Sequence, residues 1–126
     1  MKLRIQDNSI RFRLTRTEVD DLSRNGSVRA TVSFAGGSSL EYSVETASTA
    51  SQPQANFSAG RLVVQIPQGV LREWAATEQV SIAGTQPLRE GGLSILVEKD
   101  FACLTPREGE DDTDMFPHPL KGQETC

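Results

Sequence analysis

The order of apolar residues in the first part of the chain recurs in the second. Ile5, Ile10, Phe12, Leu14, Val19, Leu22, Val28 and Ala30, moved along by 52 positions, fall on Phe57, Leu62, Val64, Ile66, Leu71, Trp74, Val80 and Ile82. Every pair is apolar, although only Val28 and Val80 are the same residue. Recurrence at such a period marks one supersecondary unit used twice. It divides the chain into pseudo-repeats 2–46 and 54–98, which together make a single duplicated domain over 1–98. The unrepeated end, 99–126, is expected to lie partly docked on that domain.

Each half has the same local signals. Lys2 to Gln6 and Ser9 to Leu14 alternate polar and apolar residues on either side of Asp7-Asn8, which is the pattern of a β-hairpin. Ala59-Gly60 stands at the equivalent place in the second half. Thr15-Arg16-Thr17-Glu18 is a capping box, so a helix is expected from there to Asn25-Gly26, with Val19 and Leu22 on its apolar face. A second helix is expected from Pro67, with Val70, Leu71, Trp74 and Ala75 inward. Further alternating strands follow each helix: Val28 to Phe34 and Leu40 to Val44, then Val80-Ile82 and Leu93 to Val97. The unit is strand–strand–helix–strand–strand. Twice over, it predicts an α+β fold with a mostly antiparallel sheet or a partly closed barrel.

Charge separates the body from the end. Residues 1–98 hold ten Lys or Arg and ten Asp or Glu, so the formal net charge of −4 belongs wholly to 99–126. That end carries Asp100, Glu108, Glu110, Asp111, Asp112, Asp114 and Glu124 against Lys99, Arg107 and Lys121. An acidic excess repels phosphate, which argues against nucleic acid as a partner. The first residues alternate charge with apolar side chains and include no apolar run, and no stretch is long enough to cross a membrane. A cytoplasmic protein with free thiols at Cys103 and Cys126 is expected.

The candidate site residues fall into two groups. Lys2, Arg4, Arg11 and Arg13 occupy alternate positions of the first hairpin and should project from the face opposite its apolar side. The counterpart positions in the second half are largely uncharged. The other group is the acidic end, where Phe101 and Phe116 are large apolar residues suited to anchoring it. Cys103, Asp111, Asp112, Asp114 and His118 supply ligand types for a divalent metal, or a Cys–His pair for nucleophilic chemistry. Counted from Glu110, an EF-hand loop would need Gly at Met115 and Glu at Lys121, so that motif is absent. A solvated acidic run explains the same residues without a metal.

The stretches MKLRIQDNSIRFRLTRTEV and ILVEKDFACL…EDDTDMFPHP resemble a family of small bacterial proteins, a domain of unknown function. The resemblance implies a bacterial, cytoplasmic single domain and no particular activity.

The residues support a small non-catalytic binding module, a monomer, whose working surface lies where the acidic end meets the basic hairpin face. The partner would be a protein or a small anionic ligand, with no cofactor required. A metal-dependent or Cys-dependent enzyme using residues of the end is the alternative from another class. A third is a purely structural end that neutralises the basic stripe.

Overall fold

A computed structural model describes residues 1–101 and Phe116. The fold is α+β: the described residues form eight strands in two four-stranded sheets, with two α-helices. In chain order the elements are β1 (Lys2–Gln6), β2 (Ser9–Leu14), α1 (Arg16–Asn25), β3 (Ser27–Ser33), β4 (Ser39–Ala47), β5 (Gln54–Ser58), β6 (Arg61–Pro67), α2 (Gln68–Ala76), β7 (Ser81–Pro87) and β8 (Gly92–Lys99).

The first sheet runs β1-β2-β8-β7 and the second β3-β4-β6-β5. Each takes one hairpin from each half of the chain. Its outer pairings are antiparallel, and its central pairing, β2 with β8 or β4 with β6, is parallel. The halves are therefore interlocked. Exchanging every strand for its counterpart (β1 for β5, β2 for β6, β3 for β7, β4 for β8) turns the order of one sheet into that of the other. The sheets do not close into a barrel, because each ends in its own edge strands.

Between the sheets lies one core. Ile10, Phe12, Leu14, Ile82, Ile95 and Val97 come from the first sheet, and Val28, Val44, Val64 and Ile66 from the second. Val19 and Leu22 of α1 and Leu71 and Trp74 of α2 complete it, and the helices pack against one another. Phe12 and Tyr42 face each other across the sheets with ring centroids 6.3 Å apart. The fully buried Trp74 donates its indole N–H to the Val80 carbonyl at 3.0 Å, so its one polar group is satisfied.

The local chemistry explains the boundaries. Thr15 caps α1, and both halves of the capping box form with Glu18. Gly26 ends the helix at φ 86°, a left-handed conformation that glycine adopts without a Cβ penalty. Asp7 at φ 49° and Ala59 at φ 51° turn the two equivalent hairpins. Pro67 differs from the expectation. Its ψ of 135° is extended, so it ends β6 and occupies the cap position, and α2 starts one residue later. Val70 is also off the buried face, and is exposed.

The expected equivalence of Val28 with Val80 needs correction. Val80 is exposed and precedes β7, while Ile82 is buried. Val28 pairs with Val44, and Ile82 with Val97, so Ile82 is the true counterpart of Val28. Two extra residues after α2 cause the shift. Because strands have a period of two, this insertion keeps the same face inward and hides itself in the sequence pattern.

Candidate functional site

The hairpin β1–β2 places Lys2, Arg4, Arg11 and Arg13 together on the outer face of the first sheet. Its register sets Lys2 opposite Arg13 and Arg4 opposite Arg11. Like charges directly opposed across strands destabilise a sheet unless something offsets them. The offset comes from the neighbouring strand and the residues after it. Glu98, at the end of β8, lies beside Arg13 in the parallel register. One of its oxygens accepts from Arg13 Nε at 2.6 Å and lies 3.3 Å from Arg11 Nε. Asp100, buried, sits 3.2 Å from the ammonium of Lys2. Arg4 has no carboxylate partner among the described residues.

Among the described residues, four cations thus meet two carboxylates. They frame a small cleft of about 130 Å³ lined by Lys2, Arg4, Arg11 and Arg13. Beside it a larger cleft of about 280 Å³ runs past Arg4 and Arg11 to Gln6, Ser9 and Leu96. The counterpart face of the second sheet shows how specific this is. There Gln65 donates to Glu45 at 3.0 Å, in the place of Arg13 and Glu98, and Val63 stands in the place of Arg11.

The start of the unrepeated end is tied to the body at the same rim. Asp100 donates its backbone N–H to the Leu14 carbonyl at 2.8 Å and accepts from the Phe116 N–H at 2.9 Å. The Phe116 ring packs partly into the core, edge-on to Phe101 at 5.9 Å. The Arg16 guanidinium stands 5.4 Å from its centre and the Lys99 ammonium 5.3 Å, two cation–π contacts on one ring. Lys99 is buried; its ammonium donates to the Thr77 carbonyl at 2.7 Å and lies 5.8 Å from the Trp74 ring. Burial pulls the Lys99 pKa below the ordinary lysine range, and the Glu78 carboxylate opposes that shift.

Of the residues singled out in the sequence, the structure groups Lys2, Arg4, Arg11 and Arg13, and separately Phe101 with Phe116. Cys103, Asp111, Asp112, Asp114 and His118 lie outside the described residues. Among the described residues no cluster of metal-ligating side chains occurs, and no helix is long and apolar enough to cross a membrane. The sequence reading missed Glu98 and Lys99. Glu98 breaks the acid-poor alternation of β8, but nothing local says that β8 lies beside β2.

A family model described as a family of unknown function, DUF7009, matches residues 1–120. The chain belongs to that family. The DUF7009 match covers both halves of the body and so includes the basic hairpin, Glu98 and Asp100. No curated protein and no solved structure matches the chain.

Proposed function

We propose that this chain is a small non-catalytic binding module, and that its working surface is the basic outer face of β1 and β2 where it meets the start of the acidic end. The observation that carries the reading is the imbalance on that face. Among the described residues, Lys2, Arg4, Arg11 and Arg13 share Glu98 and Asp100, and exposed Arg4 is left without a carboxylate partner. A surface that only neutralised itself would need no surplus of positive charge. An anionic partner would gain charge-assisted hydrogen bonds from guanidinium groups already held in place by their neighbours. In this reading the protein is a bacterial, cytoplasmic monomer. The interlocked halves are the product of an internal duplication in which only the first kept the cations.

Calorimetric titration of the full chain with sodium tripolyphosphate, at low and high salt, tests the reading. Binding that weakens with salt, and at least tenfold in Arg4→Gln and in the double variant Arg11→Gln/Arg13→Gln, is expected. Affinity unchanged in both variants, or no heat with the native chain, would count against it.

The rival reading, in which the end and the stripe merely satisfy each other, has one observation in its favour. The Lys2–Asp100 contact joins the two within the chain. Under that reading the variants would lose stability and no binding would be found to lose.

A further inference from the structure

The two halves differ at their outermost strands in a way that concerns the backbone. In the β5–β6 hairpin the N–H of Ala55 points away from β6, and Gln86 of β7 caps it: the Ala55 N–H donates to the Gln86 side-chain oxygen at 2.8 Å. The middle of β7 is covered as well, since Pro53 packs against Gly84, within 3.1 Å of where a Cβ would lie. On that side the two sheets are stitched together edge to edge.

The corresponding position in the first half is Leu3, on the edge strand β1. Its hairpin has the same register: Leu3 faces Phe12 as Ala55 faces Val64. In an antiparallel pair every second residue turns its N–H and C=O away from its neighbour. Leu3 and Ile5 are therefore the residues of β1 whose backbone groups face outward. The counterpart of Gln86 is Val32, because Val32 faces Leu40 as Gln86 faces Leu93. Valine has no hydrogen-bonding side chain, so it cannot cap the edge. Both Ile5, at 62% of its full exposure, and Val32, at 40%, leave apolar surface in the open beside that edge.

Among the described residues nothing pairs with the outward backbone groups of Leu3 and Ile5, and a strand edge left so is a template for another strand. The side chains of β1 dictate which strand. Lys2 and Arg4 point to the basic face and Leu3 and Ile5 to the other. Lys2 and Arg4, two residues apart, are separated by about 6.8 Å along the strand. A strand laid beside β1 would offer carboxylates at the same interval if its acidic residues alternated, and its intervening apolar residues would cover Ile5. We infer that the partner is an extended peptide segment with alternating acidic and apolar residues, added as a strand at the open edge of β1. This rests on the anion-binding reading above and adds to it the main-chain geometry and the sequence pattern of the partner.

The test uses the full chain and three blocked heptapeptides: one alternating glutamate and valine, a second of the same composition with its glutamates contiguous, and a third that repeats the first with its peptide N–H groups methylated. The alternating peptide should bind at least tenfold more tightly than either of the others. Amide hydrogen exchange at Leu3 and Ile5 should slow at least tenfold in its complex. Ile5→Pro removes one outward donor from an edge strand without touching the β1–β2 ladder. It should lose the peptide at least tenfold and keep tripolyphosphate.

Equal affinity for all three peptides, with tripolyphosphate still bound, overturns the strand and leaves the anion-binding basic face standing. Binding of neither peptide nor tripolyphosphate removes both. Exchange at Leu3 and Ile5 already slow before any peptide is added would assign the edge to an occupant within the chain and overturn a partner in trans.

Discussion

Glu98→Gln is the most informative single substitution. The change is isosteric and keeps an oxygen that can accept from Arg13, so it removes charge and little else. Glu98 touches Arg13 at 2.6 Å and Arg11 at 3.3 Å, and those arginine side chains remain about one third exposed (35% and 33%). Ion pairs this open contribute roughly 0.2–1 kcal/mol each, so the pair of contacts stands for about 1 kcal/mol. For a chain of this size that lowers Tm by about 3–6 °C. The loss includes the repulsion that Glu98 now offsets between opposed cations. Binding should move the other way. A carboxylate about 6 Å from a bound anion, at an effective dielectric constant of about 40–80, repels it by roughly 0.7–1.4 kcal/mol. Its removal should tighten tripolyphosphate about 3–10-fold. Differential scanning fluorimetry and calorimetric titration, both at low salt, read the two effects on one sample. At about 1 M salt the Debye length falls to about 3 Å and both differences should shrink. A lower Tm with unchanged affinity would make Glu98 a structural neutraliser and sink the binding reading. An unchanged Tm would refute the electrostatic account of the face altogether.

Three further outcomes are expected. Phe116→Ala should lower stability by about 1–3 kcal/mol in chemical denaturation, because the ring is partly buried and touches two cations; an effect below about 0.3 kcal/mol would show that the ring does not hold to the body. Thr15→Ala should cost about 1 kcal/mol through loss of the α1 cap, and Thr15→Asn should recover most of it in the same assay. The lowered pKa of Lys99 sets a sign with pH: the unfolded chain holds that proton to a higher pH than the folded one, so stability rises between the folded and the ordinary lysine value. Relative to Lys99→Met, the native chain should therefore gain stability through the alkaline window just below the ordinary lysine range, and parallel curves there would contradict the burial argument.

Much of the fold was legible because its determinants are local. The capping box at Thr15, the glycine stop at Gly26 and the two-residue turns each depend on neighbours within a few positions. Alternation placed Ile10, Phe12, Leu14, Ile82, Ile95 and Val97 on the inner face as found, but Val80, in phase with Ile82, lies before β7 and is exposed. The basic stripe was legible for the same reason, since strand periodicity alone puts Lys2, Arg4, Arg11 and Arg13 on one face. The place of Pro67 is not legible locally, because φ near −60° suits both a first helical turn and a cap, and only ψ separates them.

What the chain's own pattern determined, then, is a unit of two strands, a helix and two strands, written twice, with cations on one hairpin. Tertiary structure decided how those units combine. Parallel pairing of β2 with β8 joins residues more than eighty positions apart, and no local propensity encodes such a contact. That pairing brings Glu98 to Arg11 and Arg13 and sets Asp100 at Lys2. Among the described residues it also leaves the edge of β1 open where Gln86 caps the equivalent edge of β5. A stripe of charge follows from period two, but its surplus and its free backbone depend on which strand lies alongside. That choice is made by burial of both sheets' apolar faces in a single core.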